Sequence, residues 1–173
     1  MSRLGFIYQS TKCIACKACQ VACKDKNNLE VGTFFRRVDT LEHDGRYVHF
    51  SAGCNHCNEP ACVSACPTQA MYKLQDATVG HDSGKCIGCS TCVWACPYGS
   101  PRLSRDKGIA TKCNSCKDLR DTGEKPACVQ SCITHCLDFD IIDAKIGSKH
   151  PEFLASQKIT NPSLIIVADE VER

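Results

Sequence analysis

The chain has 173 residues, 43% of them hydrophobic, and a formal net charge of +2. That is enough for one domain or two small ones, but the hydrophobic count includes the cysteines, so the ordinary apolar core is thin. Seventeen cysteines lie far above normal usage and leave three candidates for what holds the fold: disulfides, structural zinc or iron–sulfur clusters.

Met1 to Lys12 carries a short apolar patch, Leu4 to Tyr8, without a long h-region or a small-residue cleavage site. The export route that accompanies a disulfide scaffold is therefore not indicated, and the odd cysteine count points the same way. Gly5–Tyr8 reads as a short strand leading into the first cysteine run, Cys13, Cys16, Cys19 and Cys23. Phe34–Val38 and Tyr47–Phe50, either side of His43-Asp44-Gly45, read as a hairpin that covers the site or meets a partner. Arg36-Arg37 is internal with no apolar run after it, so it is not an export signal. The second run is Cys54, Cys57, Cys62 and Cys66, followed by Pro67. Ala77–His81 predicts a strand before the third run, Cys86, Cys89, Cys92 and Cys96, followed by Pro97. Ile109–Thr111 predicts another before the fourth run, Cys113, Cys116, Cys128 and Cys132, whose charged insertion Asp118–Lys125 reads as a surface loop. Each run is expected to loop and pass into a short helix near its last cysteine. Leu164–Ala168, after Asn161-Pro162, reads as a late edge strand.

Spacing decides among the three candidates. The first and third runs are C-x2-C-x2-C-x3-C, the bacterial ferredoxin pattern. Three thiolates on a tight loop reach three irons of one cubane, and the fourth cysteine points away to the other cluster of a pair. Zinc predicts paired C-x2-C knuckles, often with histidine, and these cysteines are grouped more densely. The second and fourth runs are looser, C-x2-C-x4-C-x3-C and C-x2-C-x11-C-x3-C, and resemble each other in Pro60-Ala61-Cys62-Val63 and Pro126-Ala127-Cys128-Val129. Lys12-Cys13-Ile14 likewise matches Lys85-Cys86-Ile87, so the sequence is an internal repeat of order A-B-A′-B′. The repeat alone allows neighbouring runs to pair or two runs to nest inside the others. Cys66-Pro67 and Cys96-Pro97 share the ferredoxin ending, whereas Cys23 precedes Lys24 and Cys132 precedes Ile133. This favours the second and third runs as an inner unit, with the first and fourth closing around it.

The remaining cysteine, Cys136, aligns with Ala70 of the second run and reads as a buried small hydrophobe, the alternative being that it replaces Cys132 as a ligand. His56 reads as a loop residue facing solvent or a partner, or as a hydrogen-bond donor to sulfur. Trp94 reads as packing and Tyr98 as a shield against water. His135 has no spacing that suggests a site. The scattered lysines, without interleaved aromatics, exclude a nucleic-acid surface. No apolar run approaches the eighteen or so residues that cross a bilayer.

The order of the four runs, with Cys54-Asn55-His56-Cys57, Cys86-Ile87-Gly88-Cys89 and Lys125-Pro126-Ala127-Cys128, resembles the four-cluster iron–sulfur (electron-transfer) subunits of the dimethyl sulfoxide reductase family of molybdenum/tungsten oxidoreductases. The resemblance spans about Leu4 to Ile142. It implies an α+β fold in which two nested ferredoxin-like dicluster units, made of short strands and short helices, surround four [4Fe–4S] clusters. The inner unit would take residues 51–100, the outer one 4–50 with 101–142, and 143–173 would form a C-terminal tail. One outer cluster would take Cys13, Cys16, Cys19 and Cys132, and the other Cys113, Cys116, Cys128 and Cys23. The inner pair would take Cys54, Cys57, Cys62 and Cys96, then Cys86, Cys89, Cys92 and Cys66. Relatives of the nitrate reductase type have tryptophan at the third position of the third run and a three-iron cluster there; Cys92 implies a full cubane.

The resemblance further implies a non-catalytic subunit that relays electrons to or from a large molybdenum/tungsten pterin catalytic subunit, with a membrane-anchor subunit or a soluble carrier as a further partner. It would be cytoplasmic unless exported with a signal-bearing partner, and membrane-associated through a partner, not by direct insertion. Lys24–Gly53 is short and few residues follow the last run. Compact subunits serving tungsten aldehyde oxidoreductases or hydrogenases are similar in this respect. They and a free-standing polyferredoxin form the alternative reading.

Overall fold

Phe6 and Tyr8 are buried while Ile7 and Gln9 are less so along strand β1 (Leu4–Gln9), so one face of it turns inward. The computed structural model describes residues 3–43, 45–142 and 159–167. In it β1 is the middle of a three-stranded sheet. Strand β8 (Leu137–Ile141) lies antiparallel to it, with Phe6 opposite Phe139 and Tyr8 opposite Leu137. Strand β9 (Leu164–Val167) lies parallel on the other side. The Phe6 and Phe139 rings meet edge to face at 4.8 Å. Gly5 is where the C-terminal segment comes closest, since a side chain there would run into the Ser163 carbonyl and Ile142.

Three two-stranded ribbons complete the strands. The expected hairpin is β2 (Arg37–His43) with β3 (Arg46–Ala52), in a register that sets Val38 opposite Ser51. It begins three residues later than expected, because Phe35 and Arg36 are both buried and consecutive strand residues point to opposite faces. The second ribbon joins β4 (Met71–Lys73) to β5 (Val79–His81), and the third joins β6 (Arg102–Leu103) to β7 (Ala110–Thr111). Ala77 turns with φ 64° instead of starting a strand.

Helix α1 (Ala18–Lys26) has nine residues. The others are single turns: α2 (Ala61–Ser64), α3 (Thr91–Ala95), α4 (Lys117–Asp121) and α5 (Ala127–Gln130). Pro60 and Pro126 stand at the N-caps of α2 and α5. Four of the five begin just before the third cysteine of a run, so this cysteine sits in the first turn. The exception, α4, lies in the charged insertion expected as a loop; Lys117 pairs with Asp121 along it at 2.6 Å, and Gly123, with φ 84°, follows its end. Helix α1 packs on α5 and α2 on α3.

Two buried clusters result. One joins Phe6, Tyr8, Phe139, Leu164 and Ile166 to Cys19, Cys23, Cys128, Cys132 and Cys136. The other joins Met71, Val79 and Ala110 to Cys62 and Cys92. Residues 159–167, within the expected tail, are stitched to β1 through Phe6 N–H to Ser163 O and to the loop after Cys57 through Asn58 N–H to Asn161 O. Single-turn helices are not stable alone, and cysteine makes up much of both cores, so ligand bonds must supply folding free energy. Removing metal with a chelator and an oxidant is expected to abolish most of the far-ultraviolet circular dichroism of this protein. An unchanged spectrum in the metal-free protein would contradict that.

Candidate functional site

All four cysteine runs share one backbone device. The residue two positions after the first cysteine is left-handed in each: Ala15 (φ 53°), His56 (42°), Gly88 (70°) and Ser115 (56°). This conformation reverses the backbone between the first two cysteines and costs strain at non-glycine positions. At Gly88 it coincides with a close approach, where a Cβ would collide with the Gly108 carbonyl. A second left-handed residue lies three positions after the last cysteine of three runs: Gln69 after Cys66, Gly99 after Cys96 and His135 after Cys132, with φ of 55°, 57° and 51°. Cys23 lies inside α1 and lacks this exit turn.

The seventeen cysteines are free thiols. Among the described residues no three His, Cys, Asp or Glu side chains converge closely enough to hold a single ion. The sulfurs surround hollows instead. Cys54, Cys57, Cys62 and Cys96 line one, walled by Tyr98, Ser100, Lys112 and Thr160. Cys13, Cys16, Cys19 and Cys132 line another, with Val38, Ser51 and Cys136. Cys23 is within electrostatic reach of Cys128 and Cys116, and Cys113 of Cys54, Cys23 and Cys128. Cys92 is within reach of Cys86, Cys66 and Cys89. The last cysteine of every run thus lies beside a run other than its own. Four sulfurs spread around a hollow form a donor set suited to a polynuclear iron–sulfur cluster.

Burial dominates the acidity of the inner thiols. It pushes Cys23 and Cys62 up to about 12 and Cys57 up to about 11, each against a reference of 9.0. Such sulfurs do not ionise unaided, and a bound metal supplies the compensating charge. Three thiols are shifted down. At Cys89 the Thr91 hydroxyl is the main cause. At Cys66 and Cys132 burial pushes upward but is outweighed by hydrogen bonds, which include Thr68 and Thr134. The hydroxyls lie 3.3, 3.7 and 3.8 Å from Cys89, Cys66 and Cys132. The Cys-x-Thr pattern that places them is plain in the sequence, and cysteine spacing alone gives it no weight.

Of the other residues singled out in the sequence, His56 and Trp94 sit differently from expectation, whereas Tyr98 and Cys136 lie as expected. His56 is buried, at 1% exposure, and its Nδ1 accepts the Val79 N–H at 3.0 Å. Trp94 is 86% exposed and packs on nothing in the interior. Tyr98 is half-buried on the wall of the Cys54 hollow, where Thr160 Oγ1 meets its hydroxyl at 3.1 Å. His135 is exposed. Cys136 is buried with its Sγ 3.5 Å from that of Cys132. Two buried cations, Arg36 and Lys112, escape sequence reasoning. The Lys112 ammonium donates to the Val79 carbonyl at 2.6 Å and borders the Cys54 hollow.

Residues 46–142 match the 4Fe-4S dicluster domain family. The B subunit of the anaerobic dimethyl sulfoxide reductase of Escherichia coli (strain K12) is 38% identical over 182 residues, covering 95% of this sequence and 88% of that protein. The B subunit of the Haemophilus influenzae enzyme of the same name is 36% identical, covering 100% of this sequence and 93% of that protein. The thiosulfate reductase electron transfer subunit of Salmonella typhi is 39% identical, covering 79% and 75%. The site fits these relatives, with cysteine hollows and, among the described residues, no single-ion centre. This protein belongs to the iron–sulfur electron-transfer subunits of the dimethyl sulfoxide reductase family of molybdenum oxidoreductases, and its cofactors are four [4Fe–4S] clusters.

Proposed function

We propose that this protein is the non-catalytic wire of its complex, passing electrons between a molybdenum/tungsten pterin catalytic subunit and a second partner, through four clusters in a nested arrangement. The observation that carries this reading is the gathering of each run's last cysteine beside another run. The ligand sets are then Cys13, Cys16, Cys19 and Cys132; Cys113, Cys116, Cys128 and Cys23; Cys54, Cys57, Cys62 and Cys96; and Cys86, Cys89, Cys92 and Cys66. The first and second sets adjoin through Cys19 and Cys128, and the second and third through Cys113 and Cys54. Packing of α2 on α3 joins the third to the fourth.

Each cluster supplies one-electron redox chemistry when bound. The polypeptide binds the irons, keeps water from the two central sites and leaves the two ends open. Cys16 and Cys89 are the exposed cysteines, and they belong to the first and fourth sets. Ile14 (59% exposed) and Ile133 (65%) flank one; Ile87 (67%) and Trp94 (86%) flank the other. Exposed apolar residues around an accessible ligand suit contact with a partner subunit. No helix among the described residues is long and apolar enough to cross a membrane. We assign any membrane attachment to a partner, and a cytoplasmic location unless a partner carries an export signal.

Anaerobically purified protein is expected to hold about sixteen irons, four per cubane; iron near eight with stoichiometric zinc would refute the cluster count. Cys132→Ser is expected to disturb the cluster of Cys13, Cys16 and Cys19 while sparing that of Cys113, Cys116 and Cys128, and Cys136→Ala to leave iron content and all four paramagnetic resonance signals intact. Damage to the Cys86 cluster by Cys132→Ser would mean that neighbouring runs pair instead. Trp94→Arg is expected to weaken co-purification of one partner by about tenfold or more, as for a central interface aromatic, with iron content unchanged. Retention of every partner at full yield would remove that end as a docking surface.

A further inference from the structure

Arg36 is the most deeply buried cation of the described residues, at 4% exposure. Its guanidinium lies 4.4 Å over the Phe6 ring and fills the space beside Gly53, where a Cβ would stand 3.0 Å from Nη2. Among the described residues no carboxylate pairs with it. The titratable groups facing it include the sulfurs of Cys128, Cys113, Cys19 and Cys23, which carry negative charge once they ligate iron. Its Nη1 donates to Ser51 twice, to the carbonyl oxygen at 2.9 Å and to Oγ at 3.1 Å. Ser51 Oγ is 3.5 Å from Cys19 Sγ.

Donor bookkeeping fixes the direction of the last contact. A cysteine sulfur that ligates iron has no proton and can only accept. The Ser51 oxygen already accepts from Arg36, so its own O–H is the donor left for Cys19 Sγ. Strand pairing with Val38 and the two guanidinium bonds hold Ser51 in place. A donor polarised by a cation is stronger than a neutral one. It withdraws electron density from the sulfur, favours the reduced cluster and raises its potential.

We infer that Arg36 and Ser51 form a relay, guanidinium to hydroxyl to Cys19 Sγ, that raises the reduction potential of the Cys13, Cys16, Cys19 and Cys132 cluster relative to its sequence-equivalent at Cys86, Cys89, Cys92 and Cys66. The inference rests on the ligand sets proposed above. Arg36 and Ser51 are positioning residues, since neither ligates iron. The repeat supplies an internal control. Among the described residues the hydroxyls beside the third run, Thr91 and Thr68, reach Cys89 and Cys66 without a buried cation behind them.

The test is a redox titration of the whole complex followed by paramagnetic resonance, with Cys19→Ser used to mark which of the four signals belongs to Cys19. Ser51→Ala is expected to disfavour reduction of the marked cluster by about tenfold, a fall of about 59 mV for a one-electron couple, with the other three unmoved. Ser51→Thr, which keeps the hydroxyl, should stay near the wild-type midpoint. Arg36→Met should lower the marked cluster and, through its charge, the neighbouring cluster of Cys113, Cys116, Cys128 and Cys23. Should Arg36→Met fail to fold, the Ser51 pair decides alone. If Ser51→Ala shifts a different cluster, all four alike or none, the relay is wrong while the ligand sets stand. If Cys19→Ser marks no cluster, the ligand sets are wrong and the relay falls with them.

Discussion

A cysteine sulfur bound to iron brings negative charge into the protein interior, and ten of the seventeen cysteines are buried outright. Their free thiols show how strongly burial opposes that charge, with Cys23 and Cys62 pushed up to about 12. Iron is the first compensation and fixed donors are the second. The buried cations Arg36 and Lys112, and the hydroxyls of Thr68, Thr91, Thr134 and Ser51, all stand against sulfur-lined hollows or the sulfurs themselves. A charge that would be too costly alone becomes tolerable where such partners are preorganised around it.

The modest secondary structure follows from the same constraint. Helices of four or five residues and ribbons of two or three do not persist by backbone bonding. Of these short elements, α2, α3 and α5 each present one cysteine and then end. The left-handed residues Ala15, His56 and Ser115 carry the strain of the backbone reversal in their runs, and Gly88 makes the same turn without it. A left-handed residue at the same position in all four loops, strained in three and glycine in the fourth, implies one geometric demand met four times. Iron–sulfur bonds can hold such strain where a hollow gathers segments distant in sequence, as the one lined by both Cys19 and Cys132 does.

Much of this is legible in the sequence because iron ligation dictates spacing. The four runs, the β2–β3 ribbon and the edge strand at Leu164 all express local rules, whereas the short helices expected near the last cysteine of each run begin at the third, and only α1 reaches the last, Cys23. What is not legible depends on neighbours far along the sequence. Arg36 looks like half of a surface Arg-Arg pair, and it is buried because Phe6, Gly53 and Ser51 make a slot for it. His56 has the setting of a solvent-facing loop residue, yet the Val79 N–H and the Ser163 hydroxyl both reach it. Trp94 has the composition of a core residue and the position of a rim residue. Thr160 lies beyond the stretch that carries the motifs and still walls the Cys54 hollow.

The repeat also explains where the molecule departs from symmetry. The A-B-A′-B′ order preserves the cysteines and the left-handed turn two residues after each run's first cysteine. The charges around them are not preserved. Arg36 and Ser51 serve the first run, Lys112 borders the Cys54 hollow, and the third run has threonine hydroxyls alone among these donors. Identical clusters in unequal electrostatic surroundings have unequal potentials. A row of chemically identical carriers acquires a preferred direction through such differences.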